Sequence, residues 1–381
     1  MGLRKIVDNL KPTFSKGGKL GFLASTFDAF ETFLFVPNTT TSRGAHIRDC
    51  NDMKRTMIVV VMALMPALLF GFYNTGYQHF LSQGVVPAFW ESLWFGFLKV
   101  LPIIVVSYVV GLAIEFGFAQ ARGHEVNEGF LVTGLLIPMI MPVDIPLWMV
   151  AVATAFAVVF GKEVFGGTGM NVFNPALLAR AFVFFAYTPS ISGAEVWIAG
   201  LGSGEGVVDG FSGATALEHM AVDGTLGYSA LDAFLGFIPG SIGETSTVAI
   251  LLGAAVLLFT GIASWRTMFS VFAGGLLMGY VFQWTGVTAY PAWWHLIVGG
   301  FAFGAVFMAT DPVTSAQTDA GKYIVGFMTG AIAVLIRVVN PAYPEGMMLS
   351  ILFMNALAPL VDYYVVEANI RRRNKRVKPA K

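Results

Sequence analysis

The sequence predicts an all-α integral membrane protein of about ten transmembrane helices, arranged as two inverted five-helix repeats. Three observations carry this. Hydrophobic residues fill 56% of the 381 positions and charged residues only 12%, against about 25% charged in a soluble chain. Mean hydropathy is +0.71, and long apolar runs recur along the whole chain; in hydrocarbon each must satisfy its own backbone hydrogen bonds, so each is a helix. Charge is also segregated. The formal net charge is zero, yet nine of the 23 Lys and Arg fall in residues 1–55 and seven in 371–381.

Residues 1–56 read as a cytoplasmic basic and amphipathic segment. Its start, Met1–Lys19, leads into no apolar core with a cleavage site, so insertion is expected to rely on the first span. Leu20–Pro37 is too polar to span, and its phenylalanines predict a helix lying on the membrane surface. The first transmembrane half, 57–187, holds spans at Met57–Tyr73, Phe95–Phe118, Phe130–Met141, Leu147–Phe160 and Leu177–Tyr187. A polar segment follows at 188–247. The second half, 248–366, holds Val248–Ser264, Met268–Trp284, Trp294–Met308, Tyr323–Ile336 and Met347–Val366, and a basic tail fills 367–381. The third and fifth spans are short and bounded by Gly or Pro, as where helices break beside a cavity.

The positive-inside rule orients these spans. With ten spans both termini are cytoplasmic, and the inner loops hold Arg122, Lys162, Arg266 and Lys322. The outer loops near 74–94, 142–146, 188–247 and 285–293 hold no Lys or Arg; Arg337 alone breaks the pattern. An internal echo supports an even split. Gly134 to Pro142 and Asn174-Pro175 are answered by Gly304 to Pro312 and Asn340-Pro341, displaced by about 170 and 166 residues. Five-span units must run in opposite directions, and such repeats place functional sites near their mutual axis.

Several groups are candidates for chemistry. Within the outer segment lies Asp209-Gly-Phe-Ser-Gly-Ala-Thr215. Gly213, Ala214 and Ser212 are small enough for a cofactor to lie on the backbone. Ala216-Leu217 starts a helix, whose free N–H groups favour phosphate; the alternative is a plain Ser/Gly loop. Asn171 and Asn174, in a glycine-rich run before Pro175, suit either a helix cap or contacts to the polar edge of a ring ligand. Glu115, Asp311 and Asp362 lie in or beside spans, where an acid marks function by default. They suit a hard cation, or else snorkel and pair with interfacial bases. The five histidines show no metal-site spacing, and the lone Cys50 cannot by itself hold an iron–sulfur cluster. Tryptophans near span ends read as an interfacial belt.

The Asp209–Thr215 string resembles a flavinylation motif, in which a dedicated FMN transferase esterifies the phosphate of FMN to the threonine hydroxyl. It marks the NqrB/RnfD family of membrane subunits, found in the sodium-translocating NADH:quinone reductase and in the related Rnf ferredoxin:NAD complex. The resemblance runs nearly end to end. It takes in His46-Ile-Arg-Asp49, His124-Glu-Val-Asn-Glu-Gly-Phe130, Lys162-Glu-Val-Phe-Gly-Gly-Thr-Gly169, Asn174-Pro-Ala-Leu177, Gly240-Ser-Ile-Gly-Glu244, Met308-Ala-Thr-Asp-Pro-Val313 and Arg337 through Gly346. The basic region before the first span is similar to the NqrB branch rather than to RnfD. A shorter loop after the first span departs from some relatives.

The resemblance implies a redox-driven translocase subunit in a bacterial inner membrane. It implies covalent FMN on Thr215, bracketed by Asp209, Ser212, Gly213 and Ala214, and a non-covalent riboflavin near Asn171 and Asn174. It further implies electron transfer to ubiquinone, with Phe182, Phe184 and Gly111 as candidate quinone contacts, and sodium uptake at Glu115, Asp311 and Asp362. The Leu20–Pro37 helix either frames a quinone entrance or simply anchors the chain. The chain has no G-x-G-x-x-G strand–helix unit, so NADH oxidation is expected on a partner subunit of a larger redox complex. No nucleic-acid partner is expected. The readings left open are the Rnf subunit and a flavin-free inverted-repeat channel or transporter.

Overall fold

The computed structural model describes residues 3–14, 40–47, 53–86, 88–123, 129–204, 207–208, 211–222, 224–340 and 345–376, with scattered positions between 18 and 35. Among these the secondary structure is helical throughout, with no strand. A short α1 (Leu3–Phe14) precedes α2 (Met53–Ser82), α3 (Phe89–Arg122), α4 (Phe130–Met139), α5 (Leu147–Val158) and α6 (Pro175–Ala186). The polar segment 188–247 holds α7 (Ala216–Val222) and α8 (Ala230–Leu235). The second half continues with α9 (Thr247–Phe259), α10 (Trp265–Trp284), α11 (Trp294–Ile297), α12 (Phe301–Phe303), α13 (Asp319–Val339) and α14 (Met347–Arg376).

Five of these helices, α2, α3, α10, α13 and α14, are long and apolar enough to cross a bilayer, and α4, α6 and α9 are shorter apolar helices. Local chemistry fixes the starts. Asn174 caps α6 by accepting from the N–H groups of Ala176 and Leu177, with Pro175 at the first position. Ser246, Ser264 and Thr318 cap α9, α10 and α13. Each side-chain oxygen takes an N–H that the helix leaves unpaired.

The two halves pack alike. In the first, α5 lies between α3 and α6; in the second, α13 lies between α10 and α14. The halves meet where α2 packs on α9 and α6 on α14, first span against first and fifth against fifth. Asn174-Pro175 opens α6 in this arrangement; its expected counterpart Pro341 lies outside the described residues. The core runs continuously across the seam, from Leu64 and Ile137 to Ile250 and Phe303.

Three details differ from expectation. The eighth span is broken: α11 stops at Ile297, Gly299 takes φ +62°, and α12 leads into a π turn at Gly304–Met308. A glycine is needed at that positive φ. The fourth span also ends in a π turn, Val159–Glu163, a form often found at functional positions. Finally, α14 continues ten residues past the expected span end, so part of the basic tail is helix.

Candidate functional site on the seam between the halves

Two polar sites lie on the seam, at opposite ends of the bundle. One, labelled outer from the charge-pattern expectation, is built on α7, and the other is labelled inner. Thr215 caps this helix: its hydroxyl oxygen accepts the N–H of Glu218 at 3.2 Å. The hydroxyl donates to no partner among the described residues. Ser212 is exposed and Thr215 half-buried, while Gly213 and Ala214 are buried. A Cβ on Gly213 would collide with the Ala194 carbonyl and the Leu201 side chain, so the loop can pass there only as glycine. The Tyr228 hydroxyl pins the loop by donating to the Ala214 carbonyl at 2.8 Å. Burial holds that phenol's pKa up at about 12, so it remains a donor at any ordinary pH. Asp209 lies outside the described residues.

Beneath Thr215 is a cavity of about 30 Å³, bounded by Trp197, Ser241, Glu244, Gly299 and Glu345. Room for one or two waters is not room for a flavin ring. Below it lies a buried ionic cluster. Arg180, 3% exposed, donates to Glu244 at 3.1 Å and Ser241 at 3.4 Å, and also pairs with Glu345. Burial beside Glu244 raises the Glu345 carboxyl above the ordinary range, and Arg180 opposes that rise. Arg337 donates to the carbonyls of His295 (2.6 Å), Val298 (3.0 Å) and Glu345 (3.2 Å). That explains its breach of the charge pattern: it is a buried cap for the broken eighth span, not a loop cation.

The inner site is a cavity of about 110 Å³, and about 850 Å³ when its open mouth is included. Both halves line it: Met57, Thr133, Lys162, Thr168, Asn171 and Asn174 from the first, Leu257, Phe307, Thr310 and Asp311 from the second. Gly166, Gly167 and Gly169 have φ of +121°, +97° and +92°. Their positive φ lets the loop curl round this wall, which side chains would strain. Asp311 accepts from the Val313 N–H and the Thr314 hydroxyl, both at 3.0 Å. Lys162 forms a buried ion pair with Glu115, and its neighbour Glu163 pairs with Arg122 at 3.3 Å.

The structure therefore gathers Asn171, Asn174 and Asp311 on one cavity, with Glu115 behind it through Lys162. Asp362 stands apart. It accepts from the Gln317 N–H, the Thr318 N–H and the Thr318 hydroxyl at 2.5–3.0 Å, and so fastens the start of α13. Gly111 is a packing contact: a Cβ there would enter the Phe130 ring. Phe182 stacks on Phe156 at 4.6 Å, and Phe184 lies edge-on to Phe185. The Leu20–Pro37 helix lies mostly outside the described residues, but Phe27 stacks on Phe14 of α1 and Glu31 accepts from Lys11 at 2.7 Å. Sequence reasoning missed the Arg180–Glu244–Glu345 cluster and Lys162. An arginine inside an apolar helix was the available signal.

The class these features define is an all-α, multi-pass membrane protein with buried charge on the seam of two related halves. The profile of the NQR2, RnfD, RnfE family matches residues 40–371, and the chain belongs to that family. It is 48% identical to the B subunit of the Na(+)-translocating NADH-quinone reductase of Chromohalobacter salexigens, over 99% of this chain and 97% of that protein. It is 46% identical to the proteins of the same name from Pseudomonas aeruginosa and Azotobacter vinelandii, over 98% of this chain and 99% of each.

Proposed function

We propose that this chain is the flavin-bearing NqrB subunit of a sodium-translocating NADH:quinone reductase, seated in a bacterial inner membrane with both termini cytoplasmic. FMN is joined through its phosphate to Thr215 by a dedicated transferase. Riboflavin occupies the inner cavity at Asn171 and Asn174. Electrons from a partner subunit that oxidises NADH pass to ubiquinone, and their passage is coupled to sodium export. Near-full-length similarity to proteins named for this reductase favours that role over one in an Rnf complex.

The observation that carries the reading is Thr215. Its hydroxyl donates to none of the described residues, its neighbours are small, and the adjoining first-turn N–H groups suit a phosphate. The residues present fit an ester on the solvent side of the loop, since the cavity beneath is too small for the ring. Bound there, the flavin supplies one- and two-electron chemistry, while the chain supplies position and electrostatics. Gly213 and Tyr228 hold the loop in place. The inner cavity offers neutral amides and hydroxyls, which match the polar edge of a flavin. Asp311 and the Glu115–Lys162 pair are the oxygen-bearing candidates for the sodium route.

In-gel fluorescence of the denatured complex tests the attachment. A flavin band is expected at this chain's mass and is absent in Thr215→Ala. A dark wild-type band favours the flavin-free channel reading instead.

A further inference from the structure

We infer that one face of α14, where the helix leaves the last span, seats the headgroup of an anionic phospholipid. The seat runs from Tyr364 over Ala368 to Arg371, Arg372 and Lys375. It stands on the helix itself and is independent of either flavin.

α14 is one continuous helix of 30 residues, Met347–Arg376, and at 1.5 Å per residue it is about 45 Å long. Hydrocarbon accounts for about 30 Å of that length. The last ten residues therefore begin at the headgroup layer. Tyr363 and Tyr364, both 62% exposed, mark that depth as interfacial aromatics do. Residues 368–376 are all exposed, so no other element among the described residues covers them.

Residues 367–376 hold five cations and one acid. The acid, Glu367, accepts from Arg371 at 3.1 and 2.6 Å. No ion pair joins Arg372, Arg373, Lys375 or Arg376 to an acid among the described residues. The sequence that follows, 377–381, adds Lys378 and Lys381 and no acid. On one side of the helix a groove is lined by Tyr364, Glu367, Ala368, Arg371, Arg372 and Lys375. Spacings of three and four residues put these side chains on a single face. Ala368 is the low point of the groove, one turn from Tyr364 and one turn from Arg372, so a glycerol backbone can approach the helix there. The Tyr364 ring then lies beside the acyl chains, and the cations beyond it meet the phosphate. Arginine offers paired N–H donors that match phosphate oxygens. Arg373 lies off this face: at 3.6 residues per turn it points about 160° away from Arg371 and Lys375. Orienting the last span needs only a number of cations, whereas gathering them on one face beyond a small residue builds a seat.

The test places the intact complex in phosphatidylcholine vesicles that carry a small, sub-saturating fraction of photoactivatable phosphatidylglycerol. After illumination the label is mapped and quantified by mass spectrometry. Wild type should be labelled within residues 364–375. Unlabelled phosphatidylglycerol should compete for that label, inorganic phosphate should not, and a photoactivatable phosphatidylcholine should label the segment far less. Lys375→Gln should lower the label by about five-fold, the usual worth of one cation near an anionic surface, while Arg373→Gln should leave it within about two-fold. Ala368→Phe, which fills the groove with every charge kept, should lower it as Lys375→Gln does. All three positions are exposed, so the variants should assemble as wild type does. The inference is overturned if phosphatidylcholine labels the segment equally, or if inorganic phosphate displaces the label and so reveals a free-anion site. It is also overturned if Lys375→Gln and Arg373→Gln weaken the label alike, which is charge without a seat. An unlabelled wild-type segment overturns it too, and loss of a partner subunit from the Lys375→Gln complex on native gels would then assign the face to a protein.

Discussion

The outer site at Thr215 and the inner cavity at Asn171 lie on the same seam, yet they differ in the room they offer. The outer cavity is about 30 Å³ and the inner about 110 Å³. On the proposed reading, a flavin ring finds too little space beneath Thr215 to be held there, so its retention rests on the covalent bond. At the inner site amides, hydroxyls and charge surround the space, and shape with electrostatics can suffice. The buried ions differ in step. Arg180 and two glutamates stiffen the floor beneath Thr215, whereas Lys162 and Glu115 brace the inner wall from behind.

The largest effect expected from breaking this comparison, apart from loss of the tether itself, is at the buried pairs. Lys162→Met leaves Glu115 buried without its partner, which typically costs about 3–5 kcal/mol. The complex should then melt well below wild type or fail to assemble on native gels, while Lys162→Met combined with Glu115→Gln should recover much of the loss. An unchanged melting temperature for the single variant would show that the pair does not bear on the inner wall. Next comes Asn174→Ala, which removes a cap worth about 1 kcal/mol. It should lower the release of non-covalent flavin while leaving the fluorescent band at Thr215 intact. Equal loss of both flavins would mean that the two sites are not independent. The smallest effect is at Tyr228→Phe, where one hydrogen bond worth about 0.5–1.5 kcal/mol is lost. Flavinylation should slow without being abolished, as read from band intensity over time after induction.

Much of the fold was legible because a membrane leaves few options. Apolar runs separated by basic inner loops located the helices, but the first ends nine residues and the last ten residues beyond the expected span, and the eighth is broken. Asn174 was legible as a cap from Asn-Pro alone. The cap left a ligand role open, and the cavity now places Asn171 beside it. What was not legible joins distant parts of the chain. Lys162 meets Glu115 across 47 residues and Arg180 meets Glu345 across 165, and nothing local predicts either pairing. Arg180 itself was visible as an ion in an apolar helix, by the same rule that picked out Glu115. Asp362 looked like an intramembrane acid, yet it serves three donors at the head of α13. The break at Gly299 was hidden because its flanking residues are as apolar as an unbroken span.

The most direct measurement is the mass of the proteolytic peptide that contains Thr215, taken from the complex made in its own host. That peptide should carry one FMN in phosphoester linkage, and the Thr215→Ala peptide should carry none. A wild-type peptide at its unmodified mass, in complex that is otherwise assembled, would contradict the flavin tether.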